Sequence, residues 1–227
     1  MSVTPGPPPQ PPPGRPGLAG YPVNLLVRGR RVVVVGGGRI AARKIEPLLE
    51  LGADVLVVAP VVNDEVRAWA DQGRCSVLVR AFGPDDLDGV QLALTATDDP
   101  AVNRAVFEAA EARGIWVNSA DDPDNCSFTL LSVVRRSDLV VAIGTGGRSP
   151  ALAAYLRRTL DEELGPEYAT LLDLLSEARE AMRASGRSSE DADWQRAFRS
   201  GIVELVRAGR IAEAKELLST CLSSSSA

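Results

Sequence analysis

The sequence contains no histidine. The commonest general base and the commonest metal ligand are therefore missing, and any acid–base or metal chemistry falls to carboxylates, thiols or hydroxyls. Cysteine is scarce. Cys75, Cys126 and Cys221 are an odd number without metal-type spacing, which argues against a disulfide framework and against a zinc site, so no metal ligands are assigned. No apolar run reaches membrane-spanning length, and the first residues have neither the charged start nor the apolar stretch of a signal peptide. The expectation is a soluble, cytoplasmic chain with no membrane partner. Positive charge is in deficit: a net charge of −5 and a pI near 5.0 argue against nucleic acid as the main partner.

What is present is enough chain, 227 residues, for one large domain or two small ones. Residues 1–19 hold eight of the sixteen prolines, in runs such as Pro7-Pro8-Pro9 and Pro11-Pro12-Pro13. Such a segment buries too little to fold and reads as a disordered or polyproline-like tail.

The organising stretch follows at Val32-Val33-Val34-Val35-Gly36-Gly37-Gly38-Arg39-Ile40-Ala41. Four β-branched residues ending in glycines, then Ala42, Ile45, Leu48 and Leu49 at helical spacing, predict a buried strand, a tight turn and a helix. In a dinucleotide-binding βαβ unit Gly36 permits the turn, and Gly38 lets the backbone approach a pyrophosphate. Ala41 is small enough for close helix–strand packing, and the helix start offers free amides to the anion.

Further strands are predicted at Asp54–Pro60, Ser76–Arg80, Val90–Thr97 and Ile115–Asn118, with helical patterns between most of them. This alternation predicts a parallel sheet with helices on both faces. Ligands of such sheets bind at the carboxyl ends of the strands, here Gly36 to Ile40, Pro60 and Val61, Thr97 and Asp98, and Ser119 to Asp121. Asp98 is expected to cap the next helix, leaving Thr97 nearer the cofactor. Asp121 directly follows a strand tip, although Asp121-Asp122-Pro123-Asp124-Asn125 also has the composition of a turn. The second strand tip, Ala59-Pro60-Val61-Val62-Asn63, has neither the acidic residue that grips ribose hydroxyls nor an arginine for a 2′-phosphate. NAD is favoured over NADP on that ground, while Arg39 in the glycine loop keeps NADP open.

From Cys126 the rhythm changes. Ser127–Val134 and Leu139–Ile143 read as two strands around a polar connection, Arg135-Arg136-Ser137-Asp138. An extended apolar pair needs a partner surface, and a second copy of the chain is the simplest source. Gly144-Thr145-Gly146-Gly147-Arg148-Ser149-Pro150 then opens a helix, with Ser149 as cap and Pro150 in the first helical position. Its amides, with Thr145 and Arg148, form an anion site. Beyond it, three apolar stripes predict core-facing helices: Leu171 to Met182, Trp194 to Val206, and Ile211 to Leu218. The chain is expected to fray from Ser219.

Val34-Val35-Gly36-Gly37-Gly38-Arg39-Ile40-Ala41-x-x-Lys44, Ala96-Thr97-Asp98-Asp99-x-x-Val102-Asn103, Asn118-Ser119-Ala120-Asp121 and Gly144–Pro150 together resemble the siroheme synthase family, in its precorrin-2 dehydrogenase and sirohydrochlorin ferrochelatase module. The resemblance runs from about Tyr21 to Leu164, and more weakly beyond. It implies an α/β fold: an N-terminal Rossmann-like sheet, a small dimerisation segment whose strands interlock between subunits, and a helical C-terminal domain. The corresponding division is a tail over 1–19, an NAD-binding domain over 20–120, a dimerisation and substrate segment over 121–164 and a helical domain over 165–227.

The resemblance also implies NAD-dependent oxidation of precorrin-2 to sirohydrochlorin and, in some members, insertion of ferrous iron to give siroheme. It places the catalytic carboxylate on Asp121 and cofactor contacts on Arg39, Ile40, Pro60 and Val61. In some members a serine that can bear phosphate stands at the position of Thr145. Substrate contacts are expected from Thr145, Gly146, Gly147, Arg148 and Ser149, whose anion-binding character suits a macrocycle rich in carboxylates. The methyltransferase domain fused to some members has no counterpart here, and the proline-rich tail lies outside the family pattern. The rival reading is a nucleotide-sensing module that binds NAD without catalysis. A short-chain dehydrogenase is disfavoured, since Tyr21, Tyr155 and Tyr168 are followed four places on by Leu25, Thr159 and Leu172 where that class needs lysine.

Overall fold

The computed structural model describes residues 20–223 apart from Asp121 and Asp191. The proline-rich tail and the candidate base Asp121 therefore lie outside the described residues. The chain divides into two compact units, meeting between Leu130 and Leu131.

In the first unit the valine run becomes the centre of a five-stranded parallel sheet. β1 (Arg31–Val35) pairs on one side with β2 (Asp54–Val58), which pairs with β3 (Ser76–Leu78). On its other side lies β4 (Leu92–Thr95), followed by β5 (Trp116–Ser119), giving the order β3-β2-β1-β4-β5. Strand side chains alternate between two faces, and each face has its own core. Val32, Val34, Val55 and Val57 pack with Ile45 of α1 (Arg39–Glu50) and with Val66 and Trp69 of α2 (Asp64–Asp71). Val33, Val35, Leu56 and Val58 pack with Val106 and Ala110 of α3 (Pro100–Glu111). A strand buried on both faces reads as a continuous apolar run, which is why Val32–Val35 carries no polar residue. The chain order reverses between β1 and β4, and that reversal opens a crevice at the carboxyl ends of these two strands.

The third strand ends at Leu78, two residues earlier than its composition suggests. Arg80 instead leaves the sheet and donates to both carboxylate oxygens of Asp86, which also accepts the Gly83 amide at 2.8 Å. Asp86 is buried, and the Arg80 hydrogen bond holds its carboxyl below the usual range, against the opposing effect of burial. A depressed folded-state pKa contributes stability that is complete above the unfolded value of roughly 4 and is lost as pH falls through the folded value. Asp86→Asn should therefore melt below the parent by a constant margin above about pH 5, a margin that shrinks below pH 4. Melting temperatures across that window check it; a margin independent of pH would refute the pairing.

The second unit begins with a hairpin, β6 (Ser132–Arg136) and β7 (Leu139–Ile143). The strand starts five residues later than predicted, because Ser127 and Phe128 remain hydrogen-bonded to Val117 of the first unit's sheet. Arg135 and Arg136 belong to the strand, and the connection shrinks to Ser137-Asp138, with Ser137 at a φ of 53°. Arg136 is drawn into the strand by its partner: its guanidinium donates to Leu164 O and Asp161 O at 2.6 and 2.7 Å, satisfying the carboxyl end of α4 (Pro150–Glu163).

The remaining helices are α5 (Glu167–Ala184), α6 (Trp194–Arg199), α7 (Ile202–Arg207) and α8 (Ile211–Ser223). Leu171, Leu174, Met182, Ile202, Val206 and Leu218 form their core. The stripe from Trp194 to Val206 is not one helix: Gly201, at a φ of 86°, breaks it in two. The last helix does not fray at Ser219 but runs to Ser223, because Cys221 and Leu222 are buried. Among the described residues no helix is long and apolar enough to cross a membrane.

Candidate functional site

The site is built from the β1–α1 turn outward. Gly36 has a φ of 122°, and a Cβ there would come inside 3.0 Å of the Ala96 backbone. Gly37 is equally confined: a Cβ would come inside 3.0 Å of Val61 O and Val62 Cα, and its carbonyl accepts the Asn63 amide at 2.8 Å. Gly38 differs from both. A Cβ added there meets nothing within 4 Å, so the turn is packed from behind and open in front. Gly38 is the N-cap of α1, with no side chain capping that end and no acidic residue in its first turn. Uncapped first-turn amides beneath an open glycine form an anion cradle. Arg39 and Ile40, both exposed, occupy the first turn, and Ala41 is fully buried beneath them. These features fit the pyrophosphate of a dinucleotide.

The second strand tip carries exposed Pro60 and Val61 beside a cleft of about 410 Å³, lined also by Val62, Arg67, Ala70, Val77 and Val79. Asn63 does not face it as a free polar group: its Oδ1 accepts the Val66 amide at 2.9 Å and caps α2. Arg67 was not evident from the tip sequence. One helical turn further on, its guanidinium folds back to donate to Val62 O at 3.3 Å, so the fold supplies this tip with a cation.

At the fourth strand tip the cap of α3 is Asp99, whose Oδ1 accepts the Ala101 amide at 2.9 Å, and not Asp98, which is exposed. Thr97 is tied to Asn103, with Thr97 Oγ1 to Asn103 Oδ1 at 2.8 Å and Asn103 Nδ2 to Thr97 O at 3.1 Å. Its hydroxyl fastens the β4–α3 turn, and its part-exposed position is at the tip.

The fifth tip holds a network that composition does not reveal. Buried Thr95 and Ser119 share a hydroxyl hydrogen bond of 2.7 Å between β4 and β5. Asn118, also buried, accepts Lys44 Nζ from α1 at 2.8 Å and donates to Phe128 O at 3.0 Å. Cys126 Sγ accepts the Ser119 amide at 3.1 Å. Burial pushes the Cys126 thiol above its ordinary value, with the Ser119 amide opposing. The network flanks Ala120, after which the described residues resume at Asp122.

In the second unit Thr145, Gly146, Gly147, Arg148 and Ser149 form a single turn. The Arg148 amide bonds Thr145 O at 3.1 Å, and Gly146 and Gly147 have φ values of 60° and 74°. Ser149 caps α4 by accepting the Leu152 amide at 3.2 Å, as the Ser-Pro pair predicts, and its own amide donates to Thr145 Oγ1 at 3.3 Å. Arg148 is exposed. Among the described residues no three carboxylates or thiols cluster as metal ligands.

Residues 23–132 match a family model described as "Putative NAD(P)-binding". Siroheme synthase of Nitrosococcus oceani is 35% identical over 203 residues, covering 88% of this chain and 43% of that protein. Siroheme synthase of Pseudomonas entomophila is 39% identical over 199 residues, with 87% and 43% covered. The chain thus spans less than half the length of these relatives. A solved structure of SirC, a precorrin-2 dehydrogenase, superposes with a TM-score of 0.70 at 30% identity, covering 88% of this chain and 98% of the other. With the glycine cradle in place and the likeness extending through both units, the chain belongs to the siroheme synthase and precorrin-2 dehydrogenase family.

Proposed function

We propose that this chain oxidises precorrin-2 to sirohydrochlorin with NAD. The observation that carries the reading is the β1–α1 turn, open only at Gly38 and ending in an uncapped helix, within a chain of which 88% matches SirC. Gly36, Gly38, Arg39 and Ile40 would hold the pyrophosphate side of NAD, with Pro60, Val61 and Thr97 at the neighbouring tips. When bound, the nicotinamide accepts the hydride that the macrocycle gives up. The accompanying proton goes to the carboxylate of Asp121, which the sequence sets three residues after the anchored Asn118. The turn from Thr145 to Ser149 takes a substrate carboxylate on its amides, with Arg148 adding charge. NAD is the first reading because Pro60 and Val61 at the tip carry no charge, and exposed Arg67, which the fold brings there, makes NADP the second.

Ferrous iron insertion follows on the same carboxylate: the ion enters sirohydrochlorin as substrate while two pyrrole protons leave. A homodimer is part of the reading. On the β6–β7 hairpin Val134 is buried, whereas Leu131, Val133 and Val140 stay exposed and leave apolar surface for a second copy to cover.

The deciding experiment follows NAD reduction by absorbance with anaerobically generated precorrin-2, then adds ferrous iron to the same tube. NADH with sirohydrochlorin establishes the dehydrogenase. A siroheme spectrum appearing faster than in a protein-free control establishes iron insertion. NAD binding without turnover would instead support the sensing module.

A further inference from the structure

Only two of the 25 basic residues are lysines, Lys44 and Lys215. Lys44 sits on the second turn of α1, part-buried, and bridges 74 residues of sequence to reach Asn118 Oδ1 at 2.8 Å. A single compact ammonium on a flexible stem suits a part-buried point contact that the planar fork of arginine does not.

The acceptor is fully specified by this contact. With Oδ1 turned to Lys44, the Asn118 amide nitrogen faces Phe128 O at 3.0 Å and Cys126 Sγ at 3.6 Å. Beside it, the Ser119 amide donates to Cys126 Sγ, the Ser127 amide to Val117 O at 2.8 Å, and the Val117 amide to Ser127 Oγ at 2.8 Å. Residues 117–119 and 126–128 are thus stitched together, and the segment between them contains Asp121. If Asn118 flipped, two donors would face Lys44 and an acceptor would face Phe128 O. The ammonium therefore fixes the carboxamide, and the carboxamide closes the base of the loop.

We infer that Lys44 is a positioning residue of the oxidation: its hydrogen bond to Asn118 sets the loop bearing Asp121 relative to the helix that begins at the glycine cradle. The inference rests on the proposed function for its reaction, and on hydrogen bonds alone for the clamp.

Lys44→Met keeps the length and removes the charge and donors. Loss of the charged hydrogen bond to Asn118 predicts a fall in kcat of roughly tenfold or more. The NAD Kd should stay within about twofold of the parent, since the cradle is untouched. Amide exchange at Ser119 and Ser127 should accelerate by about tenfold or more while that of Val57 in β2 is unchanged. Lys44→Arg, which restores a charged donor, should recover part of both losses. Unchanged exchange at Ser119 and Ser127 overturns the clamp. Faster exchange throughout the sheet shows a merely structural lysine, and a weakened NAD Kd shows a cofactor residue; either overturns the inference. If the parent chain itself turns over no precorrin-2, the functional reading fails, and the exchange data alone decide the clamp.

Discussion

Gly38→Ala should leave the first unit folded and weaken NAD binding by at least about tenfold, whereas Gly36→Ala and Gly37→Ala should damage the fold itself. The three substitutions add the same methyl group to consecutive positions, so the surroundings decide the outcome. At Gly38 the φ of −85° suits any residue, and the added carbon meets no protein atom within 4 Å. Stability should change by less than about 1 kcal/mol, the difference between glycine and alanine at an uncapped helix start. The methyl group occupies the space in which a pyrophosphate must approach the helix amides, so the loss falls on binding. At Gly36 the methyl group meets the Ala96 backbone from a φ of 122°, combining overpacking with a strained conformation. At Gly37 it meets the Val61 carbonyl. About 3 kcal/mol or more is expected at each, because backbone cannot step aside as a side chain can. Thermal melts with and without NAD separate the cases. A Gly38→Ala protein that retains its NAD-induced rise in melting temperature would show that the anion is not held at this turn.

The parts of this molecule set by local pattern were legible in its sequence, and those set by contact between distant segments were not. The valine run, the glycine turn and the strand–helix rhythm depend on neighbours within a few residues, and the sheet forms where that rhythm puts it. Ser149-Pro150 gave the right cap because proline at the first helical position makes the residue before it the cap. The same rule applied to Asp99-Pro100 identifies Asp99 rather than Asp98, so that cap was readable. The confinement of Gly37 was not, since it depends on how the Val61–Val62 loop folds back over the turn. Nor was the arrival of Arg67 at the second tip, where a helical turn of rise separates the side chain from the residues that define the tip. The Lys44–Asn118 bond joins two motifs that each looked self-sufficient. The late start of β6 has the same origin: Ser127 and Phe128 have good strand composition, but Val117 claims their amides first.

Asp121→Asn should reduce precorrin-2 oxidation by roughly a thousandfold while NAD binding stays within about twofold of the parent. The asparagine keeps size and polarity and removes only the capacity to take a proton, so a loss confined to kcat identifies a base. The chain has no histidine to substitute for it. The adjacent aspartate is the control. Asp122 accepts the Asn125 side-chain amide through Oδ2 and the Asn125 backbone amide through its carbonyl at 3.2 Å, and that carbonyl also receives the Cys126 thiol. Asp122→Ala therefore loses a hydrogen bond that shapes the 3₁₀ turn Pro123–Asn125, and should lower stability by about 1 kcal/mol with kcat within a few fold. If Asp121→Asn retained near-normal turnover, or if Asp122→Ala were the more damaging of the two, the proton would have to leave by another acceptor and the assignment of the base to Asp121 would be withdrawn.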